Sequence, residues 1–274
     1  GLRSCKTLVQ VDKNPEQIGA AYAVDLPIVG HCAAVLRQWL DAPAGRTQAF
    51  AATNAKRKSW LDGIRKLPRL YDVENCTSDA VPVHPARVMH ELRQAMPRDT
   101  TLVVDSGAHR AFAGHYWTAY EPRHYISATN LGPMGWAIPA AIGAKAARPD
   151  SPCVVITGDG CMQMHGIELA SAARFGIAVI YVIINNGALG NVYLRAKKMG
   201  PGPAEMTEIP THDWVAFGKS LGVAGWRVEQ PAELASVFQQ ALALGKPCVV
   251  DVRCGRDYPT PVTPFAESQK MWHE

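Results

Sequence analysis

Short apolar runs alternate with longer amphipathic segments from residue 81 to residue 255. The runs at 102–105, 154–157, 178–184 and 249–252 are mostly successive hydrophobic residues, without the alternation of a strand that faces water on one side. Such runs are typical of parallel strands covered on both faces, so we expect an α/β fold with a doubly wound parallel sheet. Helices are predicted over residues 85–96, 139–147, 166–175 and 231–244.

The first 45 residues have a less complete pattern. Residues 7–12 predict a strand, Asn14 followed by Pro15 predicts the start of a short helix, and residues 31–40 predict a second helix. A buried parallel strand needs neighbours on both sides, and too few strands are predicted here to supply them. We therefore expect residues upstream of Gly1 to complete this sheet.

These patterns predict four parts of the chain. An incomplete α/β domain is expected at 1–45, and a linker at 46–80 with one helix near residues 59–66. A complete domain is expected at 81–255, followed by an irregular C-terminal tail at 256–274.

Composition excludes several classes of protein. Hydrophobic residues make up 47% of the 274 residues and charged residues 19%, which excludes a disordered chain. The net charge of +4 is small and scattered, so no nucleic-acid partner is expected. No apolar run approaches the roughly 18 residues that a membrane span needs. The seven cysteines are odd in number and include no CxxC pair, which predicts a reducing, cytoplasmic location.

Polar turns follow two consecutive strands of the predicted sheet. Gly158-Asp159-Gly160 follows one apolar run, and Asn185-Asn186 follows the next after 24 intervening residues. Because the carboxyl ends of parallel strands lie at one edge of the sheet, the two turns should meet there. The Asp159 carboxylate and the Asn186 amide oxygen suit Mg²⁺, and Gly160 lets a phosphate approach the backbone closely. The spacing therefore predicts a site for a magnesium-bound phosphate group.

This paired motif resembles the cofactor motif of the thiamine-diphosphate enzymes. Residues 131–144 are similar to the segment that packs under the bent cofactor in that family, and residues 105–109 to its first diphosphate-binding turn. Residues 7–30 resemble the end of the middle domain in the acetohydroxyacid-synthase-like branch. The resemblance covers roughly residues 5–40 and 81–255 and implies the thiamine-diphosphate-binding fold.

The resemblance implies a role for each matching residue. Asp159 and Asn186 would bind Mg²⁺ through their side chains and Ala188 through its carbonyl oxygen. Met134 would be the apolar wedge that holds thiamine diphosphate bent, and Gly132 would contact its aminopyrimidine ring through the backbone. The diphosphate would be lined by Gly107, Ala108, His109, Gly160, Cys161, Leu189 and Gly190. For His109, a structural role as a hydrogen-bonded histidine is the alternative.

The resemblance does not extend to the family's N-terminal pyrimidine-binding domain. In the family that domain carries the glutamate that activates the cofactor, and it usually belongs to a neighbouring subunit. We therefore expect a C-terminal fragment or one half of a split enzyme, which acts as a homo- or hetero-oligomer with a pyrimidine-binding domain from another chain or from a missing N-terminal region. The isolated chain should be inactive, and the activating glutamate is not expected in this chain.

A second departure concerns the helix after the asparagine turn. Acetohydroxyacid synthases carry a Gln-Trp pair where this chain has Leu194 and Arg195. Arg195 is therefore a candidate substrate contact, since its planar fork matches a carboxylate or phosphate of the acceptor. The alternative is a surface arginine continuous with Lys197 and Lys198.

The resemblance implies decarboxylation of a 2-oxo acid substrate and transfer of the resulting carbanion to a second carbonyl group. Decarboxylation without ligation and a non-catalytic subunit are the alternatives. A nicotinamide-linked oxidoreductase is more distant, because Gly158-x-Gly160 lacks the third glycine of the dinucleotide fingerprint. FAD binding by this chain is left open, since some members of the family bind FAD through the middle domain.

Overall fold

The computed structural model describes residues 7–42, 57–66 and 72–261. The chain divides into two compact units, residues 1–69 and residues 70–274. In the described part of the chain, no helix is long and apolar enough to cross a membrane.

The first unit contains a small parallel sheet and two helices among its described residues. Strand β1 (Val9–Asp12) pairs in parallel with β2 (Leu26–Val29), and α1 (Cys32–Asp41) follows. A short 3-10 helix opens at Pro15, and the Asn14 side chain caps it, as the sequence predicts. Helix α2 covers residues 57–65, inside the predicted linker. The prediction that further strands complete this sheet is not tested by these residues.

The second unit is a six-stranded parallel sheet in the order β4-β3-β5-β6-β8-β7 among its described residues. After β3 the chain moves to β4 on one side, and β5 lies on the other side of β3. The crevice between the carboxyl ends of β3 and β5 is therefore the topological switch point, where doubly wound sheets bind ligands. The strands are β3 (Thr101–Val104), β4 (Tyr125–Ser127), β5 (Cys153–Gly158), β6 (Val179–Asn185), β7 (Ala224–Val228) and β8 (Cys248–Arg253).

Helices cover both faces of this sheet. Side chains of α3, α4 and α11 pack with alternate strand residues such as Val154 and Val182 on one face. Side chains of α5, α7 and α10 pack with the intervening residues, such as Val155 and Ile183, on the other. The helices are α3 (Pro85–Ala95), α4 (Ala108–Tyr116), α5 (Ala137–Ala147), α6 (Asp159–His165), α7 (Leu169–Phe175), α8 (Gly190–Ala196), α9 (Pro201–Glu205), α10 (Trp214–Ser220) and α11 (Leu234–Leu244).

Burial of the central strands confirms the predicted fold class. Every residue of β5 and β6 is buried, as expected for successive hydrophobic residues that face helices on both sides. The helix predicted at 166–175 is a 3-10 turn followed by α7. The predicted tail lies outside the described residues from 262 onward.

Candidate functional site

The two polar turns are joined by hydrogen bonds to the Asp159 carboxylate. Its Oδ1 accepts a bond from the Gly160 N–H at 2.9 Å, within its own turn. Its Oδ2 accepts bonds from the N–H groups of Asn186 and Gly187 at 3.0 and 2.6 Å. Burial raises the pKa of Asp159, and these backbone donors oppose that shift. The end of β5 and the end of β6 are thus held together at one carboxylate.

The asparagine turn is shaped by its own side chain and by a neighbouring loop. The Ala188 N–H donates to Asn186 Oδ1 at 3.2 Å, and the Leu189 N–H donates to the Thr207 carbonyl at 2.9 Å. Gly187 has a φ of 66°, which side-chain-bearing residues rarely adopt, so this glycine allows the tight turn. The support from Thr207 was not predicted, because no local pattern connects that loop to the turn.

An open cavity of about 160 Å³ lies at the meeting point of these turns. Asp159, Asn186 and Ala188, which the sequence analysis assigned to a metal, are on its wall. Of the other predicted cofactor contacts, Gly132 does not line it. The remaining ones all do: Gly107, Ala108, His109, Met134, Gly160, Cys161, Leu189 and Gly190.

His109 lines this cavity and has an unpaired polar atom in the described part of the chain. The side chain is buried against Gly107 and Gly158: a Cβ on Gly107 would come within 2.5 Å of the imidazole. Its Nε2 has no hydrogen-bond partner among the described residues. Burial lowers the pKa of His109 to about 4, so the ring is neutral at physiological pH. Unpaired buried polar atoms are rare in native structures, so this nitrogen is suited to a ligand that supplies the missing bond.

Asp105 ties the loop that carries Met134 to the sheet. Its Oδ1 accepts a bond from the Gly135 N–H at 2.8 Å, and its Oδ2 accepts one from the Thr157 hydroxyl at 2.9 Å. The Ser106 hydroxyl donates to the Gly132 carbonyl at 2.6 Å. Asp105 was predicted as part of the first diphosphate turn, but its connecting role was not predicted.

Two apolar side chains close over the Gly160 turn. A Cβ at Gly160 would lie 2.8 Å from Leu189 Cδ2 and 3.1 Å from Met134 Cε. Glycine therefore lets both side chains approach the backbone of the turn. The cavity wall thus includes the carboxylate-bearing Asp159 and the apolar residues Met134 and Leu189.

Cys161 is not a reactive thiol in this setting. It is buried, and its Sγ–H donates to the Ser106 carbonyl at 3.2 Å. Burial raises the pKa of the thiol to about 12, so the nucleophilic thiolate is absent at neutral pH.

Arg195 lines a second cavity beside the first. This cavity has a volume of about 690 Å³, is also lined by Arg110, and shares Gly107, Ala108 and Asn191 with the first. Arg195 itself is exposed on α8. The next residue but one, Lys197, is instead paired with Asp257. The two side chains therefore face different surroundings.

The donor set at the turns fits Mg²⁺ with a phosphate ligand. A carboxylate, an amide oxygen and a backbone carbonyl are hard oxygen ligands. Within residues 7–42, 57–66 and 72–261, no group of three or more His, Cys, Asp or Glu side chains could hold a metal. A site with a single carboxylate suits an ion that keeps water and phosphate oxygens in its shell, as Mg²⁺ does.

Several known proteins are similar to most of this chain. It is 32% identical over 259 residues to an acetolactate synthase of Mycobacterium leprae, a match that covers 91% of the chain and 40% of that protein. It is 31% identical over 249 residues to a glyoxylate carboligase of Escherichia coli O157:H7, covering 87% and 42%. A probable acetolactate synthase large subunit of Methanococcus aeolicus is 28% identical over 253 residues, covering 89% and 42%. The chain spans about two fifths of the length of these relatives.

A family comparison covers the Asp105 turn, the Met134 loop and both polar turns. The family described as thiamine pyrophosphate enzyme, C-terminal TPP binding domain, matches residues 105–252. The match runs from the Asp105 turn through β8, and the similarity to acetolactate synthases agrees with the predicted branch. The chain therefore belongs to the thiamine pyrophosphate enzymes and contains their C-terminal TPP-binding domain.

Proposed function

We propose that this chain is the thiamine-diphosphate- and Mg²⁺-binding portion of a 2-oxo acid decarboxylating carboligase of the acetolactate-synthase type. The observation that carries the proposal is the Asp159 carboxylate bonded to the backbone of the asparagine turn on a cavity wall. The relatives named as acetolactate synthase and glyoxylate carboligase support the reaction class.

Asp159, Asn186 and Ala188 would hold the metal. A carboxylate offers about four lone-pair positions, and three backbone N–H groups use three of them. Asn186 Oδ1 accepts a single bond, from Ala188 N–H. Each side chain therefore retains acceptor capacity for a cation while its orientation is fixed by the bonds already made.

The diphosphate would lie along the first turn and the Gly160 turn. Gly107, Ala108 and His109 stand at the N-terminus of α4, where backbone N–H groups and the helix dipole favour an anion. The negative charge of a bound diphosphate would favour the protonated His109 ring, whose unpaired Nε2 would then carry a proton and donate to a phosphate oxygen; this supports the ligand role over the purely structural one. Gly160, Cys161, Leu189 and Gly190 would complete the lining.

Thiamine diphosphate, when bound, supplies the electron sink that accepts the electron pair left when CO₂ departs. This chain's residues position and shield it. Met134 and Leu189 exclude water from one side of the cavity, and Asp105 keeps the Met134 loop fixed through Gly135. The activating glutamate would come from a pyrimidine-binding domain of another subunit or chain, so we propose an oligomeric enzyme.

Calorimetric titration of thiamine diphosphate into the chain tests the cofactor site. Binding should require Mg²⁺, and Asp159→Asn should weaken it at least about tenfold, since the metal loses its only charged ligand. Asp99→Asn changes an exposed acid on a distant loop and should bind normally. Equal affinity with and without Mg²⁺, or no binding to the wild-type chain, would contradict the proposal.

Steady-state turnover of a 2-oxo acid tests the need for a partner domain. The purified chain with thiamine diphosphate and Mg²⁺ should release no CO₂ above background. Clear turnover without another polypeptide would refute the partner requirement, whereas the cofactor site would still stand.

We also propose that Arg195 contacts an anionic group of the acceptor. Arg110 lines the same cavity, so two arginines border a space that adjoins the cofactor cavity. In the complete enzyme, Arg195→Ala should raise the KM for an acceptor with a carboxylate more than for a neutral aldehyde. Arg174→Ala, on the exposed side of α7, is the matched control. Equal increases in KM for the two acceptors would contradict this role for Arg195.

A cytoplasmic location is part of the proposal. Six cysteines are free in the described residues, and five of them are buried, as expected for small apolar side chains in a reducing compartment. FAD binding stays an open prediction.

A further inference from the structure

A carboxylate lies in the middle of the sheet, away from both cavities. Asp251 on β8 is fully buried, between Val250 and Val252, which pack in the core. It stands beside Ile183 of β6 in the strand register. A buried carboxylate needs bonded partners, and replacing such a group with apolar residues is often neutral or stabilising. Stability alone is therefore a weak reason for an acid at this position.

The partners of Asp251 converge on the end of β6. Its Oδ1 accepts a bond from Asn185 Nδ2–H at 2.8 Å. Its Oδ2 lies 3.4 Å from Arg253 Nη2 and 4.0 Å from Arg227 Nε. The Asn185 amide and the Arg253 guanidinium both donate to the His212 carbonyl, at 3.3 and 3.2 Å.

Asn185 connects Asp251 to the asparagine turn, which Asn185 and Asn186 form. It is the last residue of β6, and its carbonyl accepts a bond from the Cys254 N–H at 3.0 Å. Both its side chain and its backbone are therefore fixed to β8 and the residue after it. The next two residues, Asn186 and Gly187, donate their N–H groups to Asp159. A continuous path of bonds thus runs from Asp251 to the carboxylate on the cavity wall.

We propose that Asp251 is a positioning residue for the metal site. By accepting a bond from the Asn185 amide, it fixes the backbone of residues 186–188 against Asp159. The Asn186 oxygen and the Ala188 carbonyl then keep the spacing that a metal ion requires. This inference rests on the proposed function, because it assumes that these groups bind Mg²⁺.

Two substitutions of Asp251 test the role of its hydrogen bond and the role of its charge separately. Asp251→Asn removes the charge and keeps an acceptor oxygen for Asn185. Asp251→Val removes both and suits a strand. Asp213→Asn is the matched control: Asp213 pairs with Arg227 at 2.6 Å but has no bond to Asn185, and asparagine preserves its cap on α10.

The measurements are the Mg²⁺ concentration for half-maximal cofactor binding, the affinity for thiamine diphosphate at saturating Mg²⁺, and the Tm without either. Asp251→Val should raise the half-saturating Mg²⁺ about tenfold or more, the usual effect of losing a residue that orients a metal ligand. Affinity at saturating Mg²⁺ should change little. Asp251→Asn should restore most of the Mg²⁺ response, and Asp213→Asn should match wild type.

Unchanged Mg²⁺ dependence in Asp251→Val overturns the inference, and so does an equal loss in Asp251→Asn. Should Asp251→Val fail to fold, Asn185→Ala removes the same bond from the other side and should raise the Mg²⁺ requirement as much. Absence of Mg²⁺-dependent binding in the wild-type chain defeats the proposed function instead, so the two failures are distinct.

Discussion

Thr157→Val should destabilise the second unit, because Thr157 donates a hydrogen bond to a buried carboxylate. Its hydroxyl lies 2.9 Å from Asp105 Oδ2, and neither residue is more than 1% exposed. Valine has nearly the same volume and suits a strand, so the main change is the lost bond. A hydrogen bond to a charged group contributes about 2 kcal/mol, which lowers Tm by about 4–8 °C in a domain of this size.

Thr101→Val is the same substitution on the neighbouring strand, with the opposite expectation. Thr101 is also buried, but its hydroxyl has no hydrogen-bond partner among the described residues. Its replacement removes an unpaired polar atom, so Tm should stay the same or rise. Thermal and urea unfolding at neutral pH, followed by circular dichroism, would measure both variants. Equal Tm changes in Thr157→Val and Thr101→Val would refute the role assigned to the Asp105 bond.

Two further changes test the site and the fold separately. Gly160→Ala should leave Tm nearly unchanged, since a gain in helix propensity of about 1 kcal/mol offsets the displacement of Leu189. It should nevertheless weaken thiamine diphosphate binding at least tenfold, or about 1.4 kcal/mol. Calorimetry and a melting curve would measure the two effects, and normal binding would contradict the cavity assignment. His84 accepts a bond from the Ala86 N–H at 3.0 Å, and burial lowers its pKa. Its contribution to the stability of the folded state is therefore complete above about pH 6.5 and is lost as the pH falls further. His84→Asn keeps the cap without titrating; its Tm should drop less than that of wild type between about pH 7.5 and pH 5.5, and an equal drop would count against this assignment.

The central strands were predictable because their burial leaves a local pattern. Residues 154–157 and 178–184 face helices on both sides and are almost wholly apolar, so the sequence identifies β5 and β6. The edge strands were missed. Tyr125–Ser127 has three residues and is only partly buried, and Ala224–Val228 contains a glycine and an arginine. Their pairing depends on the adjacent strand rather than on their own composition.

The site was predictable as far as it follows from chain order. Turns after β5 and β6 must meet at one edge of a parallel sheet, and the bond between Asp159 and Asn186 agrees with that argument. The bonds that Gly135 donates to Asp105 and Asn185 donates to Asp251 join residues 30 and 66 positions apart. They depend on strand register and loop course, which no local pattern encodes. The ligand roles themselves stay predictions.

The carboxylate of Asp159 receives its hydrogen bonds from main-chain groups of residues 160, 186 and 187. Every amino acid except proline carries that donor. The hold on the carboxylate is therefore largely independent of which side chains surround it. Evolution can exchange those side chains without loosening the carboxylate, while the demand for an acid falls on a single codon.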